Sequence, residues 1–448
     1  MKNYNKEGLT CVTTIEHNLT DRQTDRQTDR QTDRQTDRGT ICLNSIQITP
    51  TDLGSRIDYD YSAPELLSRY IKKDYLARNE GLYVEIPGDA RQVPEAILSI
   101  PFIGIMLTAS MLLDLDIHVP VAERTFYDCL QTVNQVYKEM FPASHFNFNV
   151  TADDVQEIHY SSDRKATFFT GGVDATSALI ENIDQKPILL NIWGGDVRLT
   201  DPSSHEQLEK YFMRLSDDLN LEYAFVKTDG REMWIEMDLD MLLPDHMDSK
   251  RNHDWWASIA HILSMTTTIA PYAFLQGIGT CFIGSSYVDG TNIFDSNNEK
   301  LITAIKFGST LFESIDGQID RLGKTKKIID FHNTTGTDFQ LKVCWNRVAG
   351  ENCSNCEKCY RTIMGIVVNG GDPNDYGFNV TSETYQKIRK LLKNNKVNEA
   401  FWIPIVDSFK RTRDLWKDNP DFAWVEHAKV NAPSVMVKKL IRKIGIKC

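Results

Sequence analysis

Between Ala166 and Gly284 short apolar runs alternate with stretches of helical periodicity, and this alternation restricts the chain more than any other feature. Ala166-Thr-Phe-Phe, Ile188-Leu-Leu-Asn-Ile-Trp, Glu222-Tyr-Ala-Phe-Val and Cys281-Phe-Ile-Gly read as strands. The segment through Leu179 and Ile180 reads as a helix. So does the stretch whose apolar face runs Leu208, Tyr211, Phe212, Leu215 and Leu219, opened by Ser203 and Glu206 as a capping box. Trp255 to Ala270 reads as one long helix that stops before Pro271. Strands alternating with helices predict an α/β fold with a parallel, doubly wound sheet, which binds ligands at the carboxyl ends of its strands.

The rest of the chain divides around this centre. Thr20 to Arg38 repeats Thr-Asp-Arg-Gln without an apolar residue, so residues 1–42 are expected to be a disordered tail. Residues 43–160 mix a strand-like Leu82-Tyr-Val-Glu-Ile with a helical stripe from Phe126 to Phe141, giving an N-terminal α+β subdomain. The nucleotide-binding domain is placed at 161–343, a metal module at 344–375 and C-terminal helices at 376–448. Ile97 to Leu113 is the most apolar stretch, yet it contains Pro101 and is followed by Asp114 and Asp116. It reads as buried core, with no membrane span expected.

Charge narrows the partners. The net charge is −12, the first 42 residues are neutral, and residues 429–448 hold six basic and no acidic residues, which leaves −18 on the middle. An acidic body predicts a small-molecule substrate and no nucleic-acid partner, while a homo-oligomer stays open. The opening residues lack an apolar signal core. With nine cysteines clustered as described below, a cytoplasmic location is expected.

The first strand runs directly into Thr170-Gly171-Gly172-Val173-Asp174-Ala175-Thr176. Two glycines at a strand-to-helix turn let several backbone N–H groups face one anion, and the helix dipole adds positive potential. Asp174 falls in the first helical turn, where it favours the dipole or helps hold Mg²⁺. Thr170, Thr176 and Ser177 add hydroxyls. The segment resembles the Ser-Gly-Gly-x-Asp-Ser signature of the PP-loop ATP pyrophosphatases, the superfamily of GMP synthetase, asparagine synthetase, tRNA-thiolation enzymes and 7-cyano-7-deazaguanine synthase. The resemblance implies a HUP-type sheet, ATP and Mg²⁺ as cofactors, a loop that grips pyrophosphate, and a substrate oxygen attacking the α-phosphorus. It implies a catalytic role for Asp174 and nucleotide contacts from Thr170, Gly171, Gly172, Val173, Asp174 and Thr176. It also implies that Asp196, after the second strand, accepts from a ribose hydroxyl. Thr170 stands for the first Ser and keeps its hydroxyl; Ala175 stands for the second and does not, which passes that contact to Thr176 or weakens turnover.

Cys353-Ser-Asn-Cys356-Glu-Lys-Cys359 has two-residue spacings that let thiolates converge on one ion, and Cys344 completes a set of four. Zn²⁺ suits four thiolates. An iron–sulfur cluster is the alternative, though Ile363 occupies the position where a ferredoxin-like run has its fourth cysteine. This arrangement after a PP-loop is similar to that of 7-cyano-7-deazaguanine synthase and its uncharacterised relatives, over Ala166 to Gly371. There the resemblance implies a structural zinc and nitrogen transfer to an adenylated oxygen.

Other features carry less. Gly317 to Thr325 nearly spells a Walker A loop but has five residues between its glycines, and reads as coincidence without a convincing helix after it. Lys358 and Arg361 read as solvated charges and His261 as a core histidine. Gly284-Ser-Ser-Tyr287 faces the expected ligand edge. Two rival functions remain: a non-catalytic nucleotide binder of the same fold, and a tRNA-modifying sulfurtransferase using Cys129 or Cys281.

Overall fold

Strands form where apolar or alternating runs are bounded by turn residues, and in the computed structural model eleven of them join one sheet. The structure describes residues 39–430 apart from 79–80, 143, 145, 147, 244–253, 287–295, 345–350, 395–396 and 398. The repeat at 20–38, Tyr287 and the basic segment 435–444 lie outside the described residues.

The strands are β1 (Thr40–Pro50), β2 (Gly54–Ser62), β3 (Tyr83–Pro87), β4 (Asp116–Glu123), β5 (Val150–Gln156), β6 (Arg164–Phe168), β7 (Ile188–Trp193), β8 (Tyr223–Thr228), β9 (Ile278–Gly284), β10 (Lys306–Phe307) and β11 (Thr310–Ile315). Their spatial order is β10-β11-β9-β6-β7-β8-β3-β2-β1-β4-β5. The sheet is mostly parallel; β1–β2, β2–β3, β3–β8 and β10–β11 are its antiparallel pairs. At its centre Ala166 of β6 lies opposite Ile188 of β7 on one side and Cys281 of β9 on the other. The chain therefore moves outward from β6 through β7 to β8, then crosses back to β9. In mostly parallel sheets, such a reversal marks a topological switch point, where ligands tend to bind beyond the strand ends.

Residues 43–160 do not form a separate sheet. Their strands continue the central one through Val84 opposite Thr228 and Glu85 opposite Lys227. One face of the whole sheet is covered by an apolar cluster that includes the Glu95–Leu113 helix, the Arg124–Met140 helix and the His261–Thr268 helix. Gly104 permits the closest of these approaches: a Cβ there would fall 2.0 Å from Thr267 Oγ1. The Glu95–Leu113 helix meets the length and hydropathy of a membrane span, but 94% of that window is buried inside the protein. The other face is covered over β6–β9, with the Val173–Glu181 helix lying against β9. There Phe169, Leu189 and Phe225 meet the Pro202–Leu219, Arg321–Thr335 and Glu357–Val368 helices and the C-terminal helices Ser382–Lys393 and Glu399–Arg411.

Two helix boundaries differ from the sequence expectation. Asp201, not Ser203, caps the helix that begins at Pro202: its carboxylate accepts from the Ser204 amide at 3.1 Å, and Pro202 needs no amide partner at the first position. The expected Trp255–Ala270 helix is a π-turn over Trp256–Ala260 followed by the His261–Thr268 helix, and Pro271 opens the next helix instead of ending this one. Proline satisfies either role by sequence alone.

Candidate phosphate loop and cysteine cage

The turn after β6 is built by its neighbours. The buried Asn191 side chain of β7 donates to the Phe169 carbonyl at 2.7 Å, fixing where the strand lets go. Gly171 then adopts φ +73°, in the left-handed region, and the Lys342 amide donates to its carbonyl at 2.7 Å. A Cβ at Gly171 would sit 3.0 Å from Lys342 Cγ and 3.2 Å from Tyr211 Cε1. Gly172 is the N-cap of the Val173–Glu181 helix, with no side chain capping it. The first intrahelical bond runs from the Thr176 amide to the Gly172 carbonyl at 2.9 Å, so the amides of Val173, Asp174 and Ala175 have no intrahelical acceptor. Gly284, the last residue of β9, packs against this first turn: a Cβ on it would lie 2.3 Å from the Asp174 carbonyl oxygen. Thr170 is half-buried. Thr176 is fully buried, and its Oγ1 has no hydrogen-bond partner among the described residues.

Basic side chains gather around the loop. Arg321 Nη1 donates to Asp174 Oδ2 at 2.9 Å, and Lys324 Nζ donates to Asp174 Oδ1 at 3.1 Å and to the Ser285 carbonyl. The Lys324 side chain is 1% exposed. Burial would raise the Asp174 carboxyl, but Arg321, Lys324 and Lys358 together hold it below the usual carboxylate range. Burial, then Arg321 and Arg361, push the Lys358 ammonium down to about 8 against the pull of Asp196 and Asp174. Burial, then Arg321, bring Arg361 to about 10. Arg361 also packs over the Phe401 ring at 3.9 Å. Lys358 and Arg361 are thus desolvated, not the solvated charges expected from sequence. After the near-Walker segment the sequence offers no convincing helix, yet Asp320 caps one, Arg321–Thr335, whose first turn delivers Arg321 and Lys324 to the loop. The segment is not a Walker loop: five residues separate its glycines, and the Asp320 carboxylate occupies the helix N-terminus where a phosphate would bind.

Asp196 lies at the exposed edge of this cluster after β7, within electrostatic reach of Lys358 and with its Oδ1 4.0 Å from His261 Nε2. His261 is 22% exposed, not sealed in the core. Beside it a small recess beyond β7 and β8 is lined by Gly194, Gly195, Gly230, Arg231, Trp256 and Met265.

The four cysteines expected to bind metal converge. Cys344, Cys353, Cys356 and Cys359 bring their sulfurs within 4.8 Å of one another, with Cys344 3.8 Å from Cys356 and Cys353 4.0 Å from Cys359. Four thiolates about 2.3 Å from a tetrahedral ion lie roughly 3.8 Å apart, close to the 3.8 and 4.0 Å separations here, so the cage is of a size to hold a metal such as zinc. All four are free thiols. Burial first, and then its neighbouring thiols, raise Cys359; four thiolates at this spacing need a cation. Asn352 joins the two ligand-bearing segments: its Oδ1 accepts from the Val343 and Cys344 amides at 3.0 and 3.1 Å, and its Nδ2 donates to the Leu341 and Gly377 carbonyls. Cys356 caps the Glu357–Val368 helix, its Sγ accepting from the Cys359 amide at 3.5 Å.

The structure therefore brings Thr170, Gly171, Gly172, Val173, Asp174 and Thr176 to one turn and the four cysteines to one cage, and leaves Asp196 at the rim. No family model, curated protein or solved structure matches the chain.

Proposed function

We propose that the chain is an ATP-using enzyme of PP-loop type with a HUP-like sheet and a structural zinc. The observation that carries this reading is the glycine turn at the switch point of the sheet, facing the half-buried Arg321, the buried Lys324 and the Thr176 hydroxyl, which has no partner among the described residues. Free amides at a helix start, desolvated cations and a buried hydroxyl donor together suit a polyphosphate.

In this reading the amides of Val173 to Ala175 hold the β- and γ-phosphates while Arg321, Lys324 and Lys358 offset their charge. A carboxylate or amide-like oxygen of a small molecule attacks the α-phosphorus, the bond to the bridging oxygen breaks, and pyrophosphate leaves. A nitrogen nucleophile then displaces AMP from the adenylated intermediate, as the resemblance to 7-cyano-7-deazaguanine synthase implies. Mg²⁺ bound with the nucleotide would offset phosphate charge, and Asp174, already paired with Arg321 and Lys324, could offer it a remaining carboxylate lone pair. Four cysteine ligands close the zinc site to water, so the metal holds structure and does not hydrolyse.

The test is calorimetric titration of the full zinc-loaded chain with ATP and with pyrophosphate, followed by a pyrophosphate-release assay over a panel of carboxylates. Binding of both ligands is expected, weakened about tenfold or more by Lys324→Met. Failure to bind either sinks the reading. The engagement of both Asp174 oxygens and the missing hydroxyl at Ala175 favour a second reading, a nucleotide binder without turnover. Binding without pyrophosphate release on any carboxylate would select it. A sulfurtransferase is disfavoured: burial pushes the Cys129 thiol up to about 12 and raises Cys281 further, so neither is poised as a thiolate.

A further inference from the structure

We propose that the cysteine cage and the phosphate loop are one coupled unit, so that metal and polyphosphate raise each other's affinity. The inference rests on the phosphate-loop reading above and gives the metal a second role, control of the anion site.

Two short links join the sites. On one side, Cys344 stands two residues beyond Lys342, whose amide donates to the Gly171 carbonyl at 2.7 Å and whose side chain fills the space a Cβ on Gly171 would take. On the other, Lys358 lies between the ligands Cys356 and Cys359, and Arg361 follows nearly one turn later on the same helix face. Lys358 is within electrostatic reach of Asp174, Asp196 and Arg321, and Arg361 within reach of Asp174 and Arg321. The far end of the same helix is tied to the second cation-bearing helix, where Asn369 Nδ2 donates to the Leu322 carbonyl at 3.0 Å. One ion thus anchors the extended segment that braces the glycine turn and the helical turn that carries two of its cations.

Metal binding has two opposed consequences. A divalent ion with four thiolates carries a net charge of about −2, which by itself repels an incoming anion. Against this, the ion fixes two long side chains where they are desolvated; the Arg361 side chain is only 7% exposed. Without the anchor, both are free to turn towards water, and the anion site loses its pre-arranged donors. We expect positioning to exceed repulsion, which gives the coupling a definite sign. Linkage requires it to be reciprocal.

The experiment compares the full chain loaded with Zn(II) and the same chain stripped by a chelator, each titrated calorimetrically with inorganic pyrophosphate. The stripped chain is expected to bind about tenfold more weakly. In a competition with a chromophoric chelator, saturating pyrophosphate is expected to tighten zinc binding by the same factor. Lys358→Met keeps all four ligands: zinc stoichiometry should be unchanged, pyrophosphate binding weaker and the pyrophosphate effect on zinc affinity reduced. Equal or tighter pyrophosphate binding by the stripped chain overturns the coupling. If stripping unfolds the chain, a zinc affinity indifferent to pyrophosphate overturns it in the loaded protein. A zinc-loaded chain that binds no pyrophosphate overturns the phosphate-loop reading itself, and the coupling with it.

Discussion

The two halves of the sheet solve burial differently. Strands β1, β2 and β4 alternate, as in β2, where Ser55, Ile57 and Tyr59 point into the core while Arg56, Asp58 and Asp60 face outward. Strands β7 and β9 are buried on both faces for nearly their whole length. The same chemistry acquires different weight in each setting. Arg56 and Asp58 meet at 2.8 Å with side chains 32% and 35% exposed, an ion pair in water. Lys324 and Asp174 meet at 3.1 Å with 1% and 23% exposed, where water screens little. Polar groups gain leverage where both sides of the sheet are sealed, and the candidate site gathers there and not on the open face.

The largest effect should come from the sealed half. With zinc held in the cage as proposed, Cys356→Ser removes one of four ligands and should forfeit much of a metal-binding free energy on the order of 10 kcal/mol. Metal content by mass spectrometry should fall to zero. Amide exchange should quicken along the Glu357–Val368 helix and the Val173–Glu181 helix while β1, β2 and β4 keep their protection. If both halves lose protection together, they are one cooperative unit and the contrast fails. Phe102→Ala probes the other half, where Phe102 is fully buried in the helix beneath the open-faced strands. It should cost about 3–5 kcal/mol in denaturant unfolding with zinc content intact.

Asp174→Asn leaves two desolvated cations without their carboxylate and should cost about 3 kcal/mol. Because the Asp174 carboxyl is held below its ordinary value, its contribution is complete above pH 4 and fades as pH falls through the lowered folded value. The acid limb of the stability profile should therefore flatten in the variant; an unchanged limb would show that the cations do not act on Asp174. Asp58→Asn on the open face is the smallest, within about 0.5 kcal/mol by the same unfolding assay. A larger loss would mean that this face is covered in solution.

The strands around β6, the glycine turn and the cysteine spacing were legible because each is local: an apolar run, two adjacent glycines, ligands three residues apart. The cations were not. The Arg321–Thr335 helix buries Lys324 and Thr325 beside Ile328 and Ile329, so its inward face is half polar and no apolar stripe announces it. Lys358 and Arg361 likewise look like surface residues until the tertiary fold brings Asp174 and Phe401 beside them. Nor does a sequence pattern disclose that the strands of 43–160 extend the central sheet. That depends on β3 pairing with β8, more than a hundred residues away.

That junction has a mechanical consequence. Backbone pairing between β3 and β8 is limited to Val84 with Thr228 and Glu85 with Lys227. Where it ends, side chains take over: the Tyr83 amide donates to Asp229 Oδ1 at 2.9 Å, and the Thr228 hydroxyl donates to the Tyr83 carbonyl at 2.7 Å. A seam this short bears little shear. The Glu95–Leu113 helix, packed on β4 and meeting Thr267 at Gly104, spans both sides of that seam and ties them together as the molecule's splint.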